Sequence, residues 1–381
     1  MKVYAALLIM LLMLPLVSGA AQETMLLYVE EGVLEEGRAR QLLELLKAEM
    51  PEAEWTLEEG GTALRERVLF DNAPDLAICA PQTARPWAQE GLLLPLHTRI
   101  GGQARIQRQV LALCVHGEEM FMAPLIAHHR QMAVNRALLE ARSVGYMLDA
   151  QSYPVWYPTQ FHQILEEFLM VDETAMDVWR AGPDTSAAIE ALTQAIYGGM
   201  LLAEDGVRCT ADDLNMRAGV RWLRDAIDDG MIGYCETREE ALERFLNEET
   251  AIFIDWMHTG EMDALAREYE LDVVTVPYPA AAGLPVRSFE LAGVCAFASG
   301  DALKDALLLK ACALLHDLVQ DVLGARGIWQ DGALWPASLE RDDRTATLRS
   351  LYCTALRAVI EDGETPEAAL GRIAAAMDAL P

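Results

Sequence analysis

Two imidazoles and a guanidinium, His128-His129-Arg130, stand directly after an apolar stretch. Such a group suits acid–base work or a polar cleft that holds a solute. No nucleophile in a recognisable motif accompanies it. The chain has no GxSxG, no HExxH, no GxGxxG and no phosphate loop ending in Gly-Lys-Ser/Thr. Binding is therefore the better reading of the triplet. His162 and Glu166 lie at i, i+4, but no further metal ligand is near in sequence, so they read as an exposed helix pair. No metal and no cofactor is expected. Asp301, Asp317 and the other scattered acids read as solvated helix faces. None of the cysteines at 79, 114, 209, 235, 295, 312 and 353 has CxxC spacing or a zinc-type histidine partner. Cys79, Cys295 and Cys312 sit in apolar runs and read as small buried hydrophobes. Cys209 and Cys235 bracket one helix and could pair after export.

The elements that must position these residues alternate between strand and helix. Met25 to Val29 reads as a strand running into Glu30-Glu31-Gly32. Arg38 to Met50 carries Leu42, Leu43, Leu45 and Leu46 at helical spacing and stops at Pro51. Glu54 to Leu57 is a weak strand, and Asp75 to Cys79 has a buried-strand pattern. Helices are expected over Trp87 to Gly91, Pro158 to Val171, Thr185 to Ile196, Glu239 to Asn247, Ala302 to Leu318 and Leu348 to Ile360, with another starting at Thr210. Thr365-Pro366-Glu367 opens the last one. Further strands are expected at 251–254, 272–276 and 294–297. Strands separated by helices predict an α/β fold, with a mostly parallel sheet covered on both faces.

The chain has 381 residues, 52% of them hydrophobic and 23% charged, which excludes a disordered or fibrous protein. With 59 acidic against 30 basic residues the formal charge is −29, and so acidic a surface repels phosphate backbones. A nucleic-acid partner is not expected. Lys2 followed by the apolar run Ala5 to Val17 fits residues 1–20 as a signal peptide, and small residues at Ser18 and Ala20 fit cleavage between Ala20 and Ala21. Leu16-Val17-Ser18-Gly19 also reads like the start of a lipoprotein box. Such a box needs Cys next, and Ala20 stands there, so the reading is an exported periplasmic or extracellular protein with no lipid anchor.

Several stretches in order resemble the extracellular solute-binding proteins of ABC importers, in the carbohydrate-binding group. Asn72 to Cys79 is similar to the family's "DAPDV" strand and Trp87 to Leu96 to its "AEQGLLLPL" segment. Glu119 to Pro124 resembles "GKxYGVP", and Met132 to Leu139 resembles "xxYNKDLL". Phe245 to Ile254 resembles "FxxGKAAMxI", with Asp255-Trp256 in place of "GxW". Gly293 to Phe297 and Ala302 to Leu315 are similar to the last crossing strand and its helix, and Tyr352 to Leu370 to the closing helix pair.

The resemblance implies a two-lobed periplasmic-binding-protein-like fold of type II, with three interlobe crossings and a solute cleft between the lobes. The first lobe would comprise 21–127 plus 275–298, and the second 128–274 plus 299–381. Crossings would fall near Ile126 to Gln131, Val274 to Pro279 and Phe297 to Gly300. Cleft residues would come from loops at the strands' C-terminal ends. These are Glu30, Glu31, Gln82, Thr83 and Trp87 in the first lobe and His128, His129 and Arg130 at the first crossing. In the second lobe they are Asp255, Trp256 as an aromatic platform, and Tyr352. Phe289 and Glu290 stand where the family often has small glycines, and would fill part of the cleft. The implied function is binding, without catalysis, of a small carbohydrate-like solute by a monomer that delivers it to ABC permease subunits. The alternative is the same fold used as a sensor or partner-binding module at the cell surface.

Overall fold

The computed structural model describes residues 23–379 apart from 31–32, 35–36, 61–62, 71, 97–107, 154, 183–184, 204–207, 258–259, 282–285, 323–332 and 337–342. The signal-peptide expectation, with Ala20 and Ala21, and Glu31 lie outside them.

The first α/β unit runs β1 (Glu23–Glu30), α1 (Arg38–Glu49), β2 (Ala53–Gly60), α2 (Ala63–Leu69), β3 (Leu76–Cys79), α3 (Pro81–Gln89), α4 (Arg108–Leu113) and a short hairpin, β4 (Val115–His116) with β5 (Glu119–Met120). The long strand β6 (Ala123–Asn135) leaves it. The second unit runs α5 (Arg136–Ala141), α6 (Pro158–Leu169), β7 (Met176–Trp179), α7 (Ala187–Tyr197), α8 (Leu214–Asp228), β8 (Ile232–Cys235), α9 (Arg238–Leu246), β9 (Ile252–Met257), α10 (Gly260–Glu268) and β10 (Val273–Val276). Then come β11 (Val286–Ala296), α11 (Ala302–Val322), β12 (Ala333–Pro336), α12 (Asp343–Ile360) and α13 (Pro366–Asp378).

Local chemistry explains many of these ends. α6 starts with Pro158 at its first turn, where a missing N–H costs nothing, and buries Phe161, Ile164, Leu165 and Phe168 along one stripe. Thr237 Oγ1 caps α9 by accepting from Glu240 N–H at 3.1 Å, and Thr365 does the same for α13. α3 begins at Pro81, six residues earlier than the sequence pattern suggests. β7 and β8 escape a sequence reading. Each has only four residues, Asp177 interrupts the apolar run of one, and Gly233 interrupts the other.

The strands join in the order β2-β1-β3-β11-β6-β9-β7-β8. β1 pairs parallel with β2 and β3, and β7 pairs parallel with β8 and β9. β11 and β6 lie between these halves, antiparallel to each other and to their outer neighbours. Two separate apolar cores sit on the halves. One contains Met25, Leu27, Leu76, Ile78, Leu125 and Val294; the other contains Val134, Phe161, Val178, Ile232, Phe253 and Leu356.

The chain passes between cores within β6, whose Ala123 and Leu125 belong to the first and Met132 to Val134 to the second. It returns between Tyr278, in the second core, and Leu291, in the first. That is later than the expected Val274 to Pro279, because β10 still pairs with β6 beside the second core. The third expected passage, at Phe297 to Gly300, is corrected as well. Phe297 N–H donates to Asp75 C=O and Ala298 N–H to Leu92 C=O, both in the first unit. α11 buries Leu308, Ala311, Cys312 and Leu315 in the first core, so it does not group with the second lobe as 299–381 would require. The last change of core falls between Leu315 and Leu348.

Candidate functional site

Strand directions and register define a cleft. β3 ends at Cys79, level with Gly293 of β11, and Gly293 is also level with Pro124 of β6. β9 runs the opposite way and ends at Met257, level with Arg130 of β6. The C-terminal edges of the two parallel halves therefore point at each other. The seven residues of β6 from Pro124 to Arg130 span the gap in six steps, roughly 20 Å at the rise of a strand. The floor is this stretch of β6 together with β11, where His128 lies opposite Glu290, and β12 extends it beside Val286 to Phe289. Carboxyl ends of strands are where open α/β sheets hold ligands.

The first wall is built by β1 and the β3–α3 turn. Glu30, the last residue of β1, accepts from Ala80 N–H at 2.9 Å and from Thr83 Oγ1 at 2.8 Å. Gln82 is exposed beside them on the first turn of α3. Trp87 is not a wall residue. It is 7% exposed and packs on Phe297 with ring centroids 5.4 Å apart, on the stripe of α3 that it shares with the core residue Ala84 three positions earlier.

The second wall is anchored by charge. Asp255, near the end of β9 and buried, takes Arg130 of β6 on one carboxylate oxygen and Arg238 of α9 on the other. The Arg238 guanidinium also lies over the Phe253 ring at 5.4 Å. Arg130 and Asp255 were both expected at the cleft, and the structure joins them as a pair. Arg238 was missed, since only the fold brings the start of α9 to the end of β9. Arg180 was missed too, for want of a recognised β7. It follows that strand and holds Glu361 two-pronged, at 2.9 and 3.0 Å, while Tyr234 donates to the same carboxylate at 2.7 Å.

Trp256 and Tyr352 do not stand at an open edge. Every residue from Ile252 to Trp256 is buried, since helices cover β9 on both faces, and Trp256 meets Phe245 edge-on at 6.0 Å. Tyr352 is fully buried, with its hydroxyl 2.5 Å from Thr193 Oγ1, and burial raises its phenol well above the usual range. The platform expected from Trp256 is thus a core contact. His128, His129, Phe289 and Glu290 lie on the floor strands by backbone position.

His162 Nε2 lies 3.3 Å from Glu166 Oε1 on the exposed side of α6. No disulfide joins any of the seven cysteines, so Cys209 and Cys235 do not pair with each other. Burial pushes the Cys114 thiol up to about 12 and raises Cys312 strongly. Among the described residues no cluster of three or more His, Cys, Asp or Glu could hold a metal ion, and no helix is long and apolar enough to cross a membrane.

No protein-family model matches the sequence, and no curated protein aligns with it. Solved structures do match. The sugar-binding protein MalE from Xanthomonas citri superposes with a TM-score of 0.74 at 14% identity, covering 93% of this chain and 96% of that one. The cyclic α-maltosyl-1,6-maltose binding protein from Arthrobacter globiformis gives 0.73 at 15% identity, covering 93% and 98%. The GacH receptor of Streptomyces glaucescens, solved with and without acarbose, gives 0.68 at 13%, covering 93% and 97%. The chain therefore has the two-lobed, maltose-binding-protein-like fold. The proteins it superposes on are binding proteins rather than enzymes.

Proposed function

We propose that this chain is an extracytoplasmic solute receptor that binds a small saccharide between its lobes and delivers it to the permease of an ABC importer. The observation that carries the reading is the pair of opposed C-terminal strand edges, joined by β6 and β11 and separated by a floor long enough for a short oligosaccharide. The superposable binding proteins named for maltose-type sugars and acarbose support the solute class. The exposed Gln82 amide at the first edge and the Arg180 guanidinium at the second are suited to polyhydroxylated solutes because both are planar partners for hydroxyl groups. Contacts to both lobes would favour the closed state, and only that differential affinity can drive closure.

In this reading residues 23–125 and 291–315 form the first lobe, and 132–278 with 348–377 the second. The protein works as an exported monomer released by cleavage after Ala20, and it performs no chemistry on the solute. A thermal-shift screen of the purified chain from Ala21 onward tests the function. Maltose, maltotriose, acarbose, polyols and short peptides form the panel. A saccharide at a hundred times its Kd should add about 2.7 kcal/mol of stability. A panel in which only peptides raise the melting temperature would overturn the saccharide reading. Intact-mass analysis of exported material checks the processing, and a diacylated or uncleaved N-terminus would contradict it.

A further inference from the structure

Glu30, like Asp255, has both of its carboxylate oxygens engaged by the protein, but its partners lie at the start of a helix. α3 is nine residues long, and its N-terminus lacks a local cap. Ala80, at the cap position, has no side chain that could accept from the first-turn N–H groups, and Pro81 has no N–H. Glu30 reaches this end from a different strand, bonding the cap residue's own N–H and a first-turn hydroxyl rather than a first-turn N–H. One oxygen takes Ala80 N–H and the other takes the Thr83 hydroxyl. The carboxylate thus ties the end of β1 to the start of α3, the two segments that build the first wall. It also places a full negative charge against the positive end of the α3 dipole, the position where a helix start would otherwise attract a solute carboxylate or phosphate.

We propose that Glu30 is a positioning and selectivity residue of the first wall. It fixes the β3–α3 turn that presents Gln82, and by filling the helix start with its own charge it makes this wall favour uncharged solutes over anionic ones. The selectivity half rests on the saccharide-receptor reading, whereas the turn-fixing half does not.

Two variants of the full exported chain separate the roles. Glu30→Gln keeps the shape but replaces one acceptor oxygen with an amide NH2 and removes the charge. Glu30→Asp keeps the charge but shortens the reach. Hydrogen exchange of the free protein reads the turn. Exchange at the Ala80 amide should quicken at least tenfold in both variants, with core peptides of β1 and β3 unchanged. Unchanged exchange at Ala80 in both would overturn the clamp.

Calorimetry with maltotriose and its aldonic acid, maltotrionate, reads selectivity. Wild type should prefer the neutral sugar at least tenfold. Glu30→Gln should shrink that ratio at least fivefold, and Glu30→Asp should keep it. A purely structural role would leave the ratio the same in all three proteins and would overturn the selectivity half. A wild-type chain that binds neither sugar overturns the receptor reading for this solute class and the selectivity built on it, while exchange at Ala80 still decides the clamp. If Glu30→Gln does not fold, exchange at Ala80 in Glu30→Asp decides the clamp, and Glu30→Ala, which also removes the charge, takes its place in the selectivity comparison.

Discussion

At the scale of single residues, burial decides what a side chain does. Trp256 follows an apolar run at a strand end, and that alone suggests an exposed platform. Its ring is instead 1% exposed against Phe245. Trp256→Ala should therefore cost about 3–5 kcal/mol in a denaturant unfolding experiment, the scale of emptying a core aromatic site. Affinity per folded molecule should stay the same, and a loss of affinity with unchanged stability would return Trp256 to the cleft. Asp177 shows the opposite case, a charge where a hydrophobe belongs. Burial pushes its carboxyl up to about 6, against the pull of Arg244, whose Nη1 lies 2.7 Å from Oδ1, and with added repulsion from Glu240 and Glu249. The folded value lies above the unfolded one, so this group favours the folded state at low pH. That contribution fades as pH rises from about 4 through about 6. Asp177→Asn removes the titration. Its stability relative to wild type should rise by about 3 kcal/mol between pH 4 and pH 7, from a shift of roughly two units. A constant difference across that range would show that Asp177 titrates normally.

At the scale of elements, close approaches and caps set tolerances that differ in size. A Cβ on Gly219 of α8 would lie 2.1 Å from the Thr193 backbone oxygen of α7, so these helices cross where only glycine fits. Gly219→Ala must push a backbone aside and should lower stability by about 2–3 kcal/mol, at the upper end of overpacking costs. Thr237→Ala loses one capping hydrogen bond at the start of α9 and should lower it by about 1 kcal/mol. Chemical denaturation of both variants checks the order. Equal losses would mean that α7 and α8 can slide apart freely. Gly233 is constrained similarly, since a Cβ there would lie 1.9 Å from Asp177 Oδ1. The residue that weakens β8 as a sequence signal is the one that makes room for the neighbouring carboxylate.

At the scale of the whole molecule, the two cores are linked through β6 and β11, whose ladders are interrupted. Register shifts fall between Ala292 and Gly293, opposite the start of β6, and between Gln131 and Ala133, where β6 meets β9. Bulges bend strands and break regular pairing, so these two sites bracket the stretch best able to absorb a rotation of one lobe on the other. Small-angle scattering should then show a smaller radius of gyration at saturation with a saccharide confirmed by the thermal screen. An unchanged radius would count against closure.

Much of this architecture is legible in the residues themselves. Leucine spacing places α1, the aromatic stripe places α6, and the order of weak motifs along the chain indicates two α/β lobes. Periodicity carries that information because each long element must bury one stripe, whatever it packs on. The short strands β7 and β8 hold too few residues for a period, and Asp177 and Gly233 break the pattern. Their neighbours alone make them strands. The candidate site divides the same way. Glu30, Thr83, Arg130 and Asp255 could be placed near strand ends from sequence. Which of them face a solute depends on partners far along the chain: Ala80 for Glu30, Arg238 for Asp255, Thr193 for Tyr352 and Phe245 for Trp256. A side chain at a strand end is exposed or buried according to what another segment lays over it. That covering is a long-range packing choice, which local sequence does not encode and only the tertiary structure decides.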